Sequence, residues 1–149
     1  MTIKEELQRI ALLDERIHEL QDNMRAIAED ISALRSAWPD GIPHGGGISD
    51  PTATKAIKLS AKLHQSRDHY HRLMLDLIVE RQHLVDLIDQ LNCPKHRRVI
   101  RLRYVDGKSW SHVASDIGCT RQHAYRLERS AIAELEQIRN NVPQKRNVT

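Results

Sequence analysis

The chain has 149 residues, of which 29% are charged and 40% hydrophobic, with a net charge of +3; this is typical of a folded protein with one ordinary domain or two small ones. Phe is absent and aromatic residues make up only 3%, which favours an all-helical fold over a β-sandwich or α/β core. Two cysteines cannot form a disulfide framework and no apolar run has the length of a membrane span, so we expect a protein of a reducing cytoplasm with no membrane association.

A heptad pattern runs through residues 3–34. Two rows of positions follow it, one starting at Ile3 and one at Glu6, and nine of their ten positions are apolar. Such a pattern, with no Gly or Pro to interrupt it, predicts a long helix of coiled-coil type. Eight of its residues are candidates for oligomerisation: Ile10, Leu13, Ile17, Leu20, Met24, Ile27, Ile31 and Leu34.

A loop rich in Gly and Pro is predicted at about residues 37–49. Ser49 or Asp50 is then a candidate N-cap, and Pro51 suits the first turn of a second long helix that ends near Leu91. The two helices, residues 1–92, could form an antiparallel hairpin, or the first helix could pair with its copy in another subunit. In either case apolar surface stays uncovered, so we expect a homo-oligomer, either a dimer or a tetramer.

Residues 93–138 have the pattern of several short helices. Asn92 is a candidate cap for a helix that begins at Pro94 and buries Val99, Leu102 and Tyr104. Asp106-Gly107 marks a turn. Further boundary signals are a cap at Ser109, a left-handed helix end at Gly118 and a cap at Thr120 for a last helix to about Ile138. Residues 139–149 are predicted to form a disordered basic tail.

The stretch from Trp110 to Leu127 fits a helix-turn-helix. Seven of its positions carry a residue type that the motif requires, with apolar residues facing inward, a small residue where the helices cross and Gly at the turn: Val113, Ala114, Ile117, Gly118, Cys119, Ala124 and Leu127. The charge agrees with a polyanionic partner, because residues 93–149 contain 12 Lys/Arg and 5 Asp/Glu whereas residues 1–92 contain 11 and 15. A generic helical hairpin in a bundle is the alternative.

In this motif the second helix enters the major groove of DNA, and its outward residues meet base edges. The candidate base contacts are Arg121, Gln122, Tyr125 and Arg126. Candidate phosphate contacts are the nearby cations and hydroxyls: Arg129, Thr120, Ser109, Ser111, Lys108, Arg97, Arg98, Arg101 and Arg103. Glu128 is expected to pair with a nearby Arg instead.

The stretch HRRVIRLRYVDGKSWSHVASDIGCTRQHAYRLERSAIAEL resembles the fourth region of primary bacterial sigma factors. In both, a helix ending in Arg-Tyr (here Arg103-Tyr104) leads into an Asp-Gly turn, a short helix and a last helix with Ala-x-x-x-Leu (here Ala131 to Leu135). The resemblance implies the same four base-reading positions. Tyr125 and Gln122 depart from the residues that sigma factors often have there, so the DNA element read is expected to differ.

The whole layout resembles the phage late-gene transcriptional activators of the RinA and ArpU type, which join a coiled-coil front to a sigma-like C-terminal domain. This resemblance implies an activator of phage or prophage late genes that binds upstream double-stranded DNA as a homo-oligomer. It places the protein in the cytoplasm of the bacterial host, with host RNA polymerase as a further candidate partner.

Four other interpretations compete with this one: a zinc site, an enzyme, a small terminase subunit and a sigma-like subunit. Cys93 with His96 and Cys119 with His123 have spacings that zinc could use, but Cys119 and His123 fall on the helix-turn-helix, so no metal and no cofactor is expected. No nucleophile motif or phosphate-binding loop indicates an enzyme. A small terminase subunit, which binds DNA for packaging, and a sigma-like subunit of RNA polymerase are the alternatives to an activator.

Overall fold

The computed structural model describes residues 1–42 and 50–141, which form helices joined by short turns, with no strand among them. The predicted all-α class is confirmed. In chain order the elements are α1 (Ile3–Ala37), α2 (Pro51–Asp89), α3 (Pro94–Ile100), a π-helical segment (Arg101–Val105), α4 (Trp110–Ile117) and α5 (Arg121–Asn141). Residues 43–49 of the predicted loop and residues 142–149 of the predicted tail lie outside the described residues. None of the described helices is both long enough and apolar enough to cross a membrane.

Local hydrogen bonds explain where the two long helices begin. At α1 the Glu5 N–H donates to Thr2 Oγ1 over 3.2 Å, and the Thr2 N–H donates to Glu5 Oε2 over 2.7 Å, which is the reciprocal pattern of a capping box. Hydrogen bonding of the Glu5 carboxylate to the Thr2 backbone, and then to the Thr2 side chain, lowers the pKa of Glu5. At α2 the Thr52 N–H donates to Asp50 Oδ1 over 2.9 Å, so Asp50 supplies the predicted cap ahead of Pro51.

The described chain divides into two compact units, and the division cuts both long helices. We call residues 1–14 together with the described residues from Val79 onward the composite unit, and Glu15–Ile78 the middle unit. The sequence instead placed a domain boundary between residues 92 and 93. Periodicity cannot locate a division of this kind, because the heptad pattern continues through α1 without a break.

The composite unit has one apolar core, to which α1, α2, α3, the π-helical segment and α5 all contribute. Its members are buried side chains spread over more than 130 positions of sequence: Ile3, Leu7, Ile10, Ile88, Leu91, Ile100, Tyr104, Ala131 and Leu135. Ile3, Leu7 and Ile10 are fully buried, and burying one such side chain contributes about 1.5–3 kcal/mol. The start of α1 is therefore part of the core on which α5 packs.

Ion pairs surround this core. Arg139 on α5 donates through Nη1 to Glu6 Oε1 over 2.8 Å and to the Met1 carbonyl over 3.3 Å. Arg9 Nε lies 2.5 Å from Glu80 Oε1, and Arg81 pairs with Asp14. Exposed pairs of this kind contribute little singly, but together they fix which residues of α1 face α2 and α5.

The middle unit pairs the rest of α1 with the first two thirds of α2. Ile17, Leu20 and Ile31 of α1 are buried, as are Ala53 and Ala56 of α2. A mainly apolar groove of about 360 Å³ lies within it, lined among others by Leu34, Trp38, Ile57 and His64. Leu59, Leu75 and Ile78 of α2 are exposed, so this unit leaves apolar surface uncovered.

Two details around α3 differ from the sequence-based expectation. The N-cap residue of α3 is Cys93, which makes no side-chain capping bond. The expectation that Asn92 caps is wrong, because Asn92 lies one residue before the cap position. The Asn92 N–H donates to Glu134 Oε1 over 2.8 Å. The helix also widens into a π-helical turn, where the Asp106 N–H reaches back to the Arg101 carbonyl over 2.9 Å. Such turns are rare and insert one extra residue. The residue pattern of this stretch does not predict a π-helical turn.

α5 is longer than predicted. It continues to Asn141 instead of ending near Ile138, so residues 139–141 of the predicted tail are helical. The bonds of Arg139 to Glu6 and Met1 stabilise this last turn, and the first residues of α1 are too distant in sequence for that contact to be foreseen.

Candidate nucleic-acid interface

α4 and α5 are joined by a tight turn, and both helices begin at the predicted caps. The His112 N–H donates to Ser109 Oγ over 3.3 Å, and the His123 N–H donates to Thr120 Oγ1 over 3.2 Å. Gly118 has φ +76° and ends α4 in the left-handed conformation. Its N–H and that of Cys119 both donate to the Ala114 carbonyl, over 2.9 and 3.0 Å, which satisfies the end of α4.

The side chains predicted to face inward lie between α4, α5 and α3. Val113 and Ala124 are fully buried and Ala114 nearly so, so small residues stand where the two helices approach closely. Ile117, Cys119 and Leu127 are half-buried. Cys119 thus occupies a packing position, and no group of three or more His, Cys, Asp or Glu side chains that could hold a metal ion occurs among the described residues.

The opposite side of α5 carries the predicted base contacts. Arg121, Gln122 and Arg126 are exposed, as is Arg129, and Tyr125 is 37% exposed. We call these five residues the outer face of α5. Among the described residues none of its three arginines forms a salt bridge or a side-chain hydrogen bond with the protein, whereas many other cations of the chain do. Their guanidinium groups keep all their donors for an external acceptor.

The arginines of α3 and the π-helical segment are engaged differently. Arg97 donates to the Leu91 carbonyl over 2.7 Å, Arg98 donates to the Asp116 carbonyl over 3.3 Å, and Arg101 forms an ion pair with Asp89 at 2.7 Å. The first two bonds satisfy carbonyls at the ends of α2 and α4. The predicted role of these three arginines in phosphate binding stays a prediction, but each already has a task within the fold.

The remaining predicted phosphate contacts are accessible. Ser109, Ser111, Lys108 and Thr120 are all exposed. Ser109 and Thr120 stand at the two helix starts, where backbone N–H groups point outward and the helix dipole favours an anion. Their cap bonds fix the hydroxyls at these positions.

Tyr125 does not stand free on the outer face. Its ring lies 4.8 Å from the Trp110 ring, centroid to centroid, at an interplanar angle of 52°. On the Trp110 ring lies the guanidinium of Arg103, 5.2 Å from the centroid. Arg103 Nη1 in turn donates to the Lys108 carbonyl over 2.9 Å. Trp110 has no predicted role beyond the first position of the motif.

Glu128 lies on the inward side of α5, beneath this surface. It is only 6% exposed and accepts a hydrogen bond of 2.8 Å from the Tyr104 hydroxyl. Lys4 Nζ of α1 lies 3.7 Å from the same carboxylate oxygen. The expected pairing with an Arg is wrong: the partners are a Tyr and a Lys. Burial, followed by the contact with Glu128, raises the pKa of Tyr104 well above its usual value.

A second polar contact joins α5 to α3. His96 Nδ1 lies 2.9 Å from Glu134 Oε2, while the other carboxylate oxygen of Glu134 accepts the Asn92 N–H. These bonds, with that from His96 first, lower the pKa of Glu134. His96, which could have been a zinc ligand from its spacing, therefore orients α5 against the start of α3.

The candidate oligomerisation residues are distributed over both units. Ile10 and Leu13 are buried in the composite unit. In the middle unit Ile17, Leu20 and Ile31 are buried while Met24, Ile27 and Leu34 are half-buried. Much of this apolar surface is thus covered within one chain. Its predicted role in joining subunits stays a prediction.

A comparison with known families gives a match. The model of a family described as "Protein of unknown function (DUF1492)" matches residues 53–136, which extend from the first turn of α2 into α5 and make up more than half of the chain. No curated protein and no solved structure matches the chain.

Proposed function

Because the chain belongs to the DUF1492 family, whose description assigns no function, we propose one from the geometry. The protein is a sequence-specific DNA-binding transcriptional activator. It binds as a homo-oligomer through a sigma region 4-like helix-turn-helix formed by α4 and α5, behind a long antiparallel helical hairpin formed by α1 and α2. The sigma-like stretch and the layout shared with phage late-gene activators carry the further proposal that its targets are late promoters of a phage or prophage.

The outer face of α5 is the observation that supports this function most. Arg121, Gln122 and Arg126 are exposed in the first two turns after the Gly118 turn, which is where a helix in the major groove meets base edges. Arg can bind guanine, and Gln adenine, through two parallel hydrogen bonds. The donors of the arginines are uncommitted among the described residues, in contrast to those of Arg97 and Arg98.

Contacts within each unit support the hairpin. In the composite unit Arg9 and Asp14 of α1 pair with Glu80 and Arg81 of α2. In the middle unit α1 and α2 line one groove together. The apolar side chains that α2 leaves exposed, Leu59 and Leu75 among them, support a homo-oligomer, since exposed apolar surface often marks an interaction site.

Footprinting on DNA of the source genome, with and without RNA polymerase, tests the proposal. The full-length protein is expected to protect discrete sites upstream of late genes and to increase polymerase occupancy there. Arg121→Ala and Arg126→Ala should each remove the specific footprint, with a loss of about 1–3 kcal/mol per lost base contact. Both variants should keep wild-type helicity, because both side chains are exposed.

Arg72→Ala is the matched control. It removes the same charge from an exposed position of α2 and should leave the footprint intact. Wild-type footprints in both α5 variants would contradict the proposal. Specific binding without any effect on polymerase, from a ring of eight or more subunits, would replace transcription with the packaging role of a small terminase.

A further inference from the structure

Three side chains from three successive elements are stacked beside the outer face of α5. Arg103 comes from the π-helical segment, Trp110 from the first position of α4 and Tyr125 from the second turn of α5. The Arg103 guanidinium lies over the Trp110 ring, 5.2 Å from its centroid. The centroid of the Tyr125 ring lies 4.8 Å from that of the Trp110 ring. We call these residues the Arg-Trp-Tyr stack.

The first two members are anchored by the protein itself. Arg103 Nη1 donates to the Lys108 carbonyl, which closes the turn at Gly107, where φ is +68°. Trp110 is half-buried and follows directly on the cap residue Ser109. Both side chains also line a groove with Tyr104 and Glu128. Tyr125 is the most exposed of the three, because Arg103 and Trp110 are only partly exposed.

An unsupported Tyr on an exposed helix face exchanges between side-chain rotamers. Contact with an aromatic neighbour selects one of them, since tilted and edge-to-face ring pairs at 4.5–7 Å are stabilising. The guanidinium on Trp110 adds a cation–π contact that holds the Trp ring in turn. The stack therefore fixes the direction in which the Tyr125 hydroxyl and ring edge point before any partner binds.

We propose that Trp110, held by Arg103, is a positioning residue that orients Tyr125 and thereby sets base preference at the step that Tyr125 contacts. This inference rests on the proposed function. A Tyr can select a base through its hydroxyl, which donates and accepts, or through contact of its ring with the thymine methyl group. A side chain ordered beforehand loses less entropy on binding. Without the stack Tyr125 still reaches the DNA, but in several orientations, so selectivity falls more than overall affinity.

The test is a selection from a randomised pool of duplex DNA by the full chain, with base preference measured at each position of the enriched site. Tyr125→Ala identifies the position that Tyr125 reads. Trp110→Leu keeps apolar bulk but removes the ring. A good base contact gives a preference of about 5- to 100-fold for the correct base. We expect Trp110→Leu to reduce the preference at the Tyr125 position to below about 3-fold. Preference at the position lost in Arg121→Ala should not change.

Trp110→Phe is the matched control, because it restores an aromatic face and should recover most of the preference. Arg103→Met removes the cation but keeps chain length, and should lower preference at the Tyr125 position about 2- to 5-fold, the strength of an exposed cation–π contact. A purely structural role of Trp110 would reduce the melting temperature and affinity at all positions alike, with no change in the preference profile.

The outcomes separate the two proposals. A wild-type chain that enriches no sequence overturns the proposed function and this inference with it. A wild-type chain that enriches a site, together with an unchanged preference at the Tyr125 position in Trp110→Leu, overturns the inference alone. If Trp110→Leu does not fold, Arg103→Met decides: reduced preference at the Tyr125 position supports the inference, and an unchanged profile overturns it.

Discussion

Tyr104 and Glu128 form a buried polar contact in the composite unit. The carboxylate is almost fully buried and sits between a phenolic hydroxyl and the Lys4 ammonium. A buried carboxylate with one partner removed is costly, because it has already lost its water. This contact therefore holds α5 at a fixed rotation about its axis, with Glu128 inward and the arginines outward.

Tyr104→Phe tests this contact. The variant leaves Glu128 buried with one hydrogen bond fewer, so we expect a loss of about 1–3 kcal/mol in the free energy of unfolding. The pKa of Tyr104 is raised in the folded state, so its stabilisation is fully present below the pKa of an unfolded Tyr, about 10, and is lost as pH rises beyond it. Urea denaturation at pH 8 and pH 10.5 measures both effects.

The wild-type protein should lose stability over that interval more steeply than Tyr104→Phe. Tyr70→Phe is the control, since it removes a Tyr hydroxyl from the middle unit and leaves the Tyr104–Glu128 contact in place. Parallel slopes in the wild type and Tyr104→Phe would show that burial of the phenol does not contribute to alkaline unfolding.

Helical periodicity predicts a buried position for Glu128, whereas its residue type predicts an exposed one. Ala124, Glu128, Ala131 and Leu135 follow one another at helical spacing and are all buried. A carboxylate at such a position is ordinarily expected outside. Its partners, from α1 and the π-helical segment, are 124 and 24 positions earlier, so only the fold shows what satisfies the charge.

At the level of elements, the turn between α4 and α5 depends on local chemistry. Ser109, Gly118 and Thr120 are each recognisable from residue type and spacing, and the structure confirms their predicted roles. The π-helical segment is different: it ends in the bond from Lys108 N–H to the Leu102 carbonyl, and no residue in it is reserved for that conformation. Local signals thus predicted both ends of α4 and the start of α5, whereas the π-helical segment could be found only from the fold.

Gly118→Ala tests the turn. A Cβ at this position meets nothing within 4 Å, so the cost comes from φ +76° alone, and we expect a loss of about 1–2 kcal/mol in the free energy of unfolding. Gly118→Asn should recover part of it, because Asn tolerates the left-handed region. Denaturant titration of the three proteins should give a free energy of unfolding that decreases from Gly to Asn to Ala at this position. Equal stability of Asn and Ala at this position would mean that backbone strain is not the cause.

At the scale of the whole molecule, the sequence predicts an N-terminal domain that oligomerises and a separate C-terminal domain that binds DNA. The packing does not follow that boundary, because the start of α1 belongs to the same unit as α5. The heptad predicted a long α1, and that helix exists. Its first turns, however, complete the core beneath α5, together with Ile88 and Leu91 of α2. Nothing in Ile3 or Leu7 distinguishes them from the rest of the heptad, because an apolar residue at a regular spacing does not reveal its partner.

Leu7→Ala tests this arrangement against a matched neighbour, Leu12→Ala. Leu7 is fully buried and Leu12 is 65% exposed, although both are leucines on α1. The first substitution should cost about 2–5 kcal/mol and weaken DNA binding, since Leu135 of α5 lies in the same core. The second should change stability by less than about 0.5 kcal/mol. Melting and DNA titration of both variants decide, and similar results for the two would contradict the shared core.

The contact between Glu6 and Arg139 spans 133 positions of sequence, which has a consequence for biosynthesis. The apolar residues at the start of α1 emerge from the ribosome long before α5 is translated, so their native core lacks Ala131 and Leu135 in the meantime. Contacts of such high sequence separation form late in folding, and exposed apolar helices invite wrong association while they wait. Growing chains translated side by side on one message could therefore meet through α1 before any of them has a complete surface for DNA.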